Sequence, residues 1–427
     1  MRDDTIFALA SGAGVAAVAV MRLSGPACDS VLRTLCADLP PPRVAVLRRL
    51  RFADTMLDQA LVLWFPGPAS YTGEDSAELH LHGGRAVIQA VADALTRLGL
   101  RPAEPGEFTR RAFLNGRLDL VEAEAVHDLV SAETEAQRRQ ALRQLEGELG
   151  ALYRGWADSL RGVLAQQEAL IDFPDEDLPP EVEAALLDTM RSVRADVAAH
   201  LADDHRGEKL REGLFFAITG PPNVGKSSLI NALADRDVAI VSPTPGTTRD
   251  ILEARVVLGG VPVTLVDTAG LRDTIDAIEA EGVRRARARA AAADRVIVVV
   301  EAGTAAPPLA EPAILVANKS DLGAAGPAGG LRVSALTGEG LDLLRDRLAL
   351  EARRLTETSG PPPLTRARHR AALQMALERL TDAAAAPLPE LRGEDLRLAL
   401  RALGRITGQV GVEDILDTLF RQFCIGK

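Results

Sequence analysis

The sequence is poor in cysteine, has no excess of positive charge and contains no long apolar run. The three cysteines, Cys28, Cys36 and Cys424, do not indicate a disulfide framework and fit a reducing compartment. The 49 lysines and arginines are outnumbered by 60 acidic residues, and the formal net charge is −11. This balance excludes a generally basic nucleic-acid coat, so any contact with RNA requires a local patch or a partner.

Features of membrane and secreted proteins are also missing. The apolar run at residues 15–21 is too short to span a bilayer. The first four residues include two acids, and the start of the chain lacks the pattern of a signal peptide. We therefore expect a soluble cytoplasmic protein without membrane contact. The 427 residues suffice for two or three domains, and 47% hydrophobic residues are ample for their cores.

The strongest motif lies in the middle of the chain. An apolar run at residues 214–218 predicts a buried strand and is followed by Gly-Pro-Pro-Asn-Val-Gly-Lys-Ser at residues 220–227 and then by a helical pattern. Strand, glycine-rich loop and helix in this order predict a phosphate-binding loop, whose backbone N–H groups surround an oligophosphate. Lys226 can reach the outer phosphates, and the Ser227 hydroxyl can occupy one Mg²⁺ position.

Four further motifs follow in order. Residues 245–250 (Pro-Gly-Thr-Thr-Arg-Asp) offer a threonine for Mg²⁺ and the γ-phosphate. A strand at residues 263–266 delivers Asp267, which would hold Mg²⁺ through water, and then Gly270, whose N–H would contact the γ-phosphate. A strand at residues 313–317 leads into Asn-Lys-Ser-Asp at residues 318–321, and residues 334–336 would close over the base.

These motifs select guanine. The Asp321 carboxylate suits the N1–H and 2-amino donors of guanine, and adenine has no such donor pair. Each motif alone is a weak signal, but the five in order predict a GTPase domain. The predicted GTP-binding residues are Asn223, Val224, Gly225, Lys226, Ser227, Ser228, Ser242, Pro243, Thr244, Pro245, Gly246, Thr247, Thr248, Asp267, Thr268, Ala269, Gly270, Asn318, Lys319, Ser320, Asp321, Ser334, Ala335 and Leu336.

The residues before this domain predict a compact α+β domain over residues 1–117, with strands near 15–21 and 60–65 and a helix near 86–98. Arg22 follows a strand, and Glu78 lies in an alternating strand, so these charges could line a cleft for a flat acidic ligand. Surface salt bridges are the simpler interpretation. His80 and His82 share a strand face, but no third ligand lies at a suitable spacing, so we do not expect a metal.

The remaining segments are helical in composition. Leucines spaced 3-4-3 over residues 142–152 predict a helix seam, with bends or breaks at Gly147, Gly150 and Gly162. The predicted fold is multidomain α/β plus all-α: a helical domain interrupted by an inserted P-loop GTPase domain. The predicted boundaries are 1–117 for the N-terminal domain, 118–207 and 359–427 for the helical domain, and 208–358 for the GTPase domain.

One position departs from small switch GTPases. Leu271 stands where those proteins carry the glutamine that orients the attacking water, and leucine cannot do this. The amide of Asn223 and carbonyls of residues 242–248 could hold a monovalent cation that balances charge as an arginine finger does. Alternatively, Asn223 only braces the loop.

The whole chain resembles the bacterial and organellar family of tRNA-modification GTPases, which act in 5-carboxymethylaminomethyl-uridine formation at wobble position 34. The resemblance rests on residues 220–227, 245–250 and 267–272 in the GTPase domain, on 71–75 and 105–108 before it, and on the terminal Phe-Cys-Ile-Gly-Lys at 423–427. The sequence departs from the family in the loop 11–15, which lacks the usual proline and arginine, and at 301–303.

The resemblance implies a homodimer formed by the N-terminal domains, and a folate site there lined by Arg22, Glu78, Arg117 and Lys427. The one-carbon donor would be 5,10-methylene- or 5-formyl-tetrahydrofolate. Cys424 is a candidate in the modification chemistry. The resemblance also implies an FAD-dependent partner subunit, giving a heterotetramer, with tRNA as the shared substrate.

For the GTPase domain the resemblance implies two cations and a catalytic glutamate. Mg²⁺ would be held through Ser227 and Thr248. Glu279 would orient the attacking water through a bridging water. Together with Lys226 and Asp267, it is an expected catalytic residue. The implied K⁺ ligands, which would help two GTPase domains dimerise and stimulate each other, are Asn223, Ser242, Thr244 and Thr247.

Two other functions are consistent with parts of the sequence. A ribosome-assembly GTPase would use flanking domains to grip RNA, but we find no basic RNA-binding module and that function gives the terminal motif no role. A scaffold with vestigial GTPase activity is disfavoured by the complete motif set.

Overall fold

The computed structural model describes most of the chain: residues 4–12, 14–172, 180–235, 253–267, 293–308, 313–357, 360–411 and 413–426. The chain divides into two compact units. The first unit is Met1–His127, Gln144–Asp172 and Pro389–Lys427, and the second is Asp128–Arg143 and Phe173–Leu388. The predicted helical segments therefore contribute to both units.

The first unit is built on a six-stranded sheet with the order β3-β4-β5-β2-β1-β6. Its strands are β1 (Ile6–Leu9), β2 (Ala16–Ser24), β3 (Val46–Phe52), β4 (Thr55–Phe65), β5 (Ser76–Gly83) and β6 (Arg101–Pro102). The strands predicted near residues 15–21 and 60–65 are confirmed and lie in β2 and β4.

The two faces of this sheet differ. Helices α1 (Cys28–Cys36) and α2 (Arg85–Arg97) pack against one face and share its apolar core. In β5, alternation places Ala77, Leu79 and Leu81 in that core, whereas Glu78, His80 and His82 lie on the other face and are half-buried or exposed. Side chains for chemistry are therefore available on the face that the helices leave uncovered.

Helices follow the sheet. They are α3 (Glu107–Leu114), α4 (Leu120–Ser131), α5 (Glu135–Leu145), α6 (Glu148–Asp172), α7 (Pro180–Leu201) and α8 (Arg206–Glu212). Gly147 has a φ of 84° and separates α5 from α6, as predicted. Gly150 and Gly162 both lie inside α6, so neither breaks the helix. Glycine at 150 instead permits a close approach, since a Cβ there would lie 2.5 Å from an Asp119 carboxylate oxygen.

The second unit contains another six-stranded sheet, with the order β12-β11-β10-β7-β9-β8. Its strands are β7 (Leu214–Thr219), β8 (Glu253–Leu258), β9 (Val261–Asp267), β10 (Arg295–Glu301), β11 (Ala313–Asn318) and β12 (Leu331–Arg332). Neighbouring strands are parallel except for β8 against β9. The predicted strands at 214–218, 263–266 and 313–317 are confirmed.

Helices α9 (Lys226–Ala234) and α10 (Leu341–Thr356) pack against this sheet. Its strands are continuous apolar runs, as is typical of a parallel sheet that is buried on both faces. Phe216, Val263 and Val316, for example, are fully buried. Since parallel strands end at the same edge, residues 220–227, 267 and 318–321 meet there.

Three helices complete the chain: α11 (Ala367–Ala385), α12 (Pro389–Thr407) and α13 (Glu413–Phe420). In the second unit α11 packs on α7, and in the first unit α12 packs on α6 while α13 packs on α3. Among the residues that the structure describes, no helix combines the length and the apolar character needed to cross a membrane.

Candidate functional sites

The loop between β7 and α9 has the conformation of a phosphate-binding loop. Gly220 and Gly225 have φ of 146° and 89°, a region that side-chain-bearing residues rarely adopt. A Cβ at Gly220 would lie 2.1 Å from the Val299 carbonyl oxygen, and one at Gly225 would lie 2.4 Å from Asn318 Nδ2. Both glycines are therefore required, by backbone conformation and by space.

Lys226 lies at the first position of α9 and is 5% exposed. Its Nζ donates hydrogen bonds to the carbonyls of Gly220 (3.0 Å) and Pro221 (2.8 Å), across the mouth of the loop. An ammonium and a helix N-terminus at one point attract an anionic oligophosphate. The predicted contact of Lys226 with phosphates fits this position.

Ser227 and Asp267 face each other across the sheet edge. The Ser227 hydroxyl donates a 2.9 Å hydrogen bond to Asp267 Oδ2, and Asp267 is 4% exposed at the end of β9. Hydroxyl and carboxylate oxygens are the ligands that Mg²⁺ prefers, with the carboxylate acting directly or through water. The donor set therefore fits the predicted magnesium site, while the other predicted ligand, Thr248, lies outside the described residues.

The predicted base-binding residues also converge. Asn318 is 2% exposed; its Nδ2 donates to the Val224 carbonyl at 2.8 Å, and its Oδ1 accepts from the Ala335 N–H at 3.0 Å. Asp321 is exposed, and its Oδ1 accepts a 2.6 Å hydrogen bond from the Ser334 hydroxyl. These bonds fix the carboxylate while leaving it accessible to a base.

Other predicted residues take supporting or open positions. Lys319 has a φ of 64° and its Nζ lies 2.8 Å from Glu301 Oε2. Asn223 has a φ of 63° and is exposed, as are Ser228 and Leu336. The predicted residues outside the described part of the chain are Ser242, Pro243, Thr244, Pro245, Gly246, Thr247, Thr248, Thr268, Ala269, Gly270, Glu279 and Lys427.

The first unit contains the residues of the predicted folate site. Arg22 and Glu78 lie opposite each other on β2 and β5, and Arg22 Nε and Nη2 donate to Glu78 Oε1 at 3.1 and 2.9 Å. The guanidinium lies 5.7 Å from the ring centre of Tyr71 and 5.9 Å from that of Phe108. Phe108 is fully buried and Tyr71 is 38% exposed, so Tyr71 offers an accessible ring beside the ion pair, which suits a planar ligand.

Glu78 is held ionised by its neighbours. Burial alone would raise its pKa, but the charge of Arg22 and hydrogen bonds from His80 and Arg22 outweigh burial and lower the pKa below the usual 4.5. His80 Nε2 lies 3.2 Å from Glu78 Oε2, and His82 Nδ1 lies 2.7 Å from Asp58 Oδ1. Each histidine thus has a carboxylate partner, and the described residues contain no cluster of three or more His, Cys, Asp or Glu side chains that could hold a metal ion.

The C-terminal segment reaches this site. The Gly426 carbonyl lies 3.5 Å from Arg22 Nη1, and a Cβ at Gly426 would lie 2.4 Å from the Leu9 carbonyl oxygen. Phe420 and Phe423 are buried against α3 and α4, whereas Cys424 is exposed. The aromatic residues anchor the segment and leave the thiol accessible.

Arg117, the third residue predicted for the folate site, is exposed. A Cβ at Gly73 would lie 3.2 Å from its Cγ, so it borders the loop that carries Tyr71. The structure therefore places Arg22 and Glu78 together, with Arg117 beside the neighbouring loop.

Sequence reasoning missed an ion-pair network next to this site. Arg111 Nη2 binds Asp4 Oδ1 (2.8 Å) and Glu107 Oε1 (3.1 Å), and its Nη1 binds Glu74 Oε2 (3.0 Å). Arg101 also pairs with Asp4 and Glu107. A pocket of about 400 Å³ adjoins the network and is lined by Glu74, Glu104, Glu107, Arg110, Arg111, Leu114 and Asn115. The polar run at 105–117 was the available signal, and salt bridges explain part of it.

The described geometry defines a P-loop nucleotide-binding protein with a base-recognition loop of the guanine type. Two family models match the chain: "MnmE helical domain" over residues 120–424 and "GTP-binding protein TrmE N-terminus" over residues 5–117. The chain therefore belongs to the MnmE (TrmE) family of GTPases.

Individual relatives agree over the full length. The tRNA modification GTPase MnmE of Gluconacetobacter diazotrophicus is 62% identical, covering 99% of this chain and 98% of the relative. The protein of the same name from Granulibacter bethesdensis is 58% identical, covering 100% of both. The family confirms the predicted fold class: an N-terminal domain, a helical domain and an inserted GTPase domain.

Proposed function

We propose that this protein is a K⁺-activated GTPase that acts, with an FAD-dependent partner subunit, in adding a carboxymethylaminomethyl group to C5 of uridine 34 in certain tRNAs. Folate supplies the one-carbon unit, and the cytoplasm is the compartment. The observation that carries the proposal is the meeting of Lys226, the Ser227–Asp267 pair and the Asn318–Asp321 loop at one sheet edge. The relatives at 52–62% identity are named tRNA modification GTPases.

Hydrolysis would use this edge as follows. Lys226 leaves its two carbonyl partners for the outer phosphates, and Asp321 accepts from the guanine donors. Ser227, Thr248 and, through water, Asp267 would hold Mg²⁺, which neutralises charge on the phosphates when bound. Leu271 offers no hydrogen-bonding group that could orient the attacking water. Glu279 takes this role instead and acts through a second water.

Potassium would supply the remaining positive charge. We propose Asn223, Ser242, Thr244 and Thr247 as its ligands, and the exposed position of Asn223 on the phosphate-binding loop supports the first of them. A monovalent cation beside the phosphates stabilises the charge that develops in the transition state. The ion would bind where two GTPase domains meet.

The folate would bind on the face of the first sheet that α1 and α2 leave uncovered. Glu78 accepts from the pterin amino donors, and Arg22, Arg117 and Lys427 face the acidic tail of the folate. The exposed ring of Tyr71 near Arg22 supports a planar ligand. The exposed Cys424 follows an anchored phenylalanine and takes part in the modification chemistry in this proposal.

Exposed apolar residues on the same face support the proposed homodimer. Leu47 and Leu61 are register partners on β3 and β4 and are 55% and 43% exposed; Leu61 is in turn opposite His80. Val18, 53% exposed, lies opposite His82 on the next strand pair. Exposed apolar side chains beside a polar ligand site are typical of an interface between subunits.

The test is GTP hydrolysis in K⁺ and in Na⁺ at equal ionic strength, for the wild type and Glu279→Ala. We expect large stimulation by K⁺ and loss of hydrolysis in Glu279→Ala with GTP binding retained. Equal rates in the two salts would overturn the K⁺ assignment. Modified nucleosides in tRNA incubated with the protein, the FAD-dependent subunit and folate test the wider function, which is wrong if omission of this protein leaves their yield unchanged.

A further inference from the structure

Both chain connections of the GTPase domain pass through one polar joint. The incoming connection is α8, which leads into β7, and the outgoing one is the segment 357–366 after α10. Arg211 Nε on α8 donates to the Thr365 carbonyl at 2.8 Å, and Arg206 Nη1 donates to the Glu357 carbonyl at 3.0 Å. A Cβ at Gly207 would lie 2.1 Å from the Leu364 carbonyl oxygen, so the two connections touch at their backbones.

One carboxylate forms a hydrogen-bonded ion pair with the outgoing connection and a longer ion pair with the incoming one. Asp128 Oδ1 lies 2.7 Å from Arg366 Nη2 on the outgoing segment and 3.8 Å from Arg211 Nη1 on the incoming helix. The side chains of Asp128 and Arg366 are each 10% exposed. Asp128 begins the segment 128–143, which we call the clasp segment.

The clasp segment also binds α8 along its backbone. Gln137 Nε2 donates to the carbonyls of Leu210 (3.2 Å) and Arg211 (3.1 Å), and Gln140 Nε2 donates to the Gly207 carbonyl (3.0 Å). Two of these acceptors lie in the last turn of α8, where carbonyls lack partners within the helix. These three hydrogen bonds and the Asp128–Arg211 ion pair therefore fix α8 to the clasp segment.

A further contact reaches the sheet of the GTPase domain. Glu133 Oε2 of the clasp segment lies 2.8 Å from Arg255 Nη2 on β8. Strand β8 follows residues 245–250 in the chain and pairs with β9, which ends at Asp267. The clasp segment is thus connected to the strand pair that joins two nucleotide-binding motifs.

These contacts are poorly explained by stability alone. Removing charges from water is costly, and apolar residues of equal volume often stabilise a protein as well as a buried ion pair or better. A buried ion pair does fix orientation, because its hydrogen bonds are directional. If flexible linkers connected the GTPase domain to the rest of the chain, no buried ion pair between the two connections would be needed.

We propose that Asp128 is a positioning residue: it holds the GTPase domain in a fixed orientation to the clasp segment, so that conformational changes during GTP hydrolysis are passed to that segment. The fixed orientation stands on the contacts alone, whereas its use in coupling rests on the proposed GTPase function.

One measurement tests the fixed orientation, and a second tests the coupling. Spin labels at Arg139→Cys on the clasp segment and Leu343→Cys on α10 are placed in a Cys424→Ser background, since Cys28 and Cys36 are buried. With excess unlabelled protein, so that distances between the protomers of the proposed homodimer are not recorded, we expect a narrow distance distribution in the presence of GDP and of a non-hydrolysable GTP analogue. Asp128→Asn should broaden it, while the matched control Asp188→Asn, 73% exposed on α7, should leave it unchanged.

Coupling is read from the GTP hydrolysed per modified uridine with the partner subunit present. Asp128→Asn should raise this ratio while the hydrolysis rate of the protein alone stays at the wild-type level. An unchanged distribution would overturn the fixed orientation, and an unchanged ratio would overturn the coupling. If Asp128→Asn does not fold, Gln137→Ala loosens the same joint without removing a charge. Absence of GTP hydrolysis in the wild type would instead overturn the proposed function and leave the distance result standing.

Discussion

The side-chain amide of Asn318 donates a 2.8 Å hydrogen bond to the Val224 carbonyl and so ties the base-recognition loop to the phosphate-binding loop. The same side chain accepts from the Ala335 N–H at 3.0 Å. One buried residue therefore sets the spacing between the two loops that would hold the ends of a nucleotide. Its role is to position both loops, whether or not it also contacts the base.

Asn318→Ala should weaken both the fold and the site. Val224 is 5% exposed, and leaving a buried polar group unpaired costs about 1–3 kcal/mol. We expect GTP affinity to fall by about tenfold or more, at about 1.4 kcal/mol per tenfold. Titration with a fluorescent GTP analogue measures the change. Asn231→Ala, at an exposed position on α9, is the matched control; an equal loss there would show that the effect is not specific to this link.

Asp321→Asn should change the base specificity of the site from guanine to xanthine. The carboxylate would lose two charge-assisted hydrogen bonds to guanine, each worth about 1.5–3 kcal/mol, so KM for GTP should rise by about 100-fold or more. The asparagine Oδ1 can still accept from Ser334, which leaves Nδ2 to donate to the 2-oxo group of xanthine. Hydrolysis of GTP and XTP is compared with that of Asp346→Asn, exposed on α10. A variant that loses GTP without gaining XTP would argue against base contact.

Local patterns predicted the elements of the nucleotide site well. Parallel strands that are buried on both faces show no alternation of polar and apolar residues. The apolar runs before residues 220, 267 and 318 are strands of this kind. Their order in a parallel sheet then determines that their ends meet, so the convergence of Lys226 and Asp267 follows from sequence.

Contacts between distant segments were not predictable in this way. Asp128 and Arg366 are 238 positions apart, and neither lies in a motif. Arg22 and Glu78 are 56 positions apart, and alternation in β5 gave only the face of Glu78, not its partner. The residues alone suggested that these two charges could line a cleft, with surface salt bridges as the simpler interpretation, and the resemblance to a family named them as site residues.

Acid should destabilise the first unit through its ion-pair network. Burial alone would raise the pKa of Glu107, but hydrogen bonds from Arg101, the Glu104 N–H and Arg111 outweigh it and hold the pKa below the usual 4.5. The unfolded chain therefore binds this proton at higher pH than the folded one. The contribution is full above about pH 4.5 and is lost as the pH falls through the folded pKa.

Glu107→Gln should therefore lower stability at neutral pH and flatten its decline in acid. Urea unfolding followed by tryptophan fluorescence reports on this unit, because both tryptophans, Trp64 and Trp156, lie within it. Glu378→Gln, exposed on α11, should keep the wild-type pH dependence. Parallel curves for the wild type and Glu107→Gln would show that Glu107 does not carry the acid sensitivity.

Gly426→Ala tests whether the C-terminal segment builds the folate site. Gly426 has a φ of 96°, and an added Cβ would lie 2.4 Å from the Leu9 carbonyl oxygen, which is backbone and cannot move aside cheaply. The segment must shift, and Cys424 moves with it. We expect the affinity for 5-formyl-tetrahydrofolate, measured by calorimetry, to fall while GTP hydrolysis is retained.

Gly99→Ala separates the clash from backbone strain. Gly99 has a similar φ of 91°, but nothing lies within 4 Å of its added Cβ, so alanine there introduces only strain, of about 1–3 kcal/mol. If both variants bind folate equally well, the C-terminal segment does not shape the site, and Arg22 and Glu78 must do so without it. If only Gly426→Ala loses binding, the last residues of the chain are part of a site that begins at its first strands.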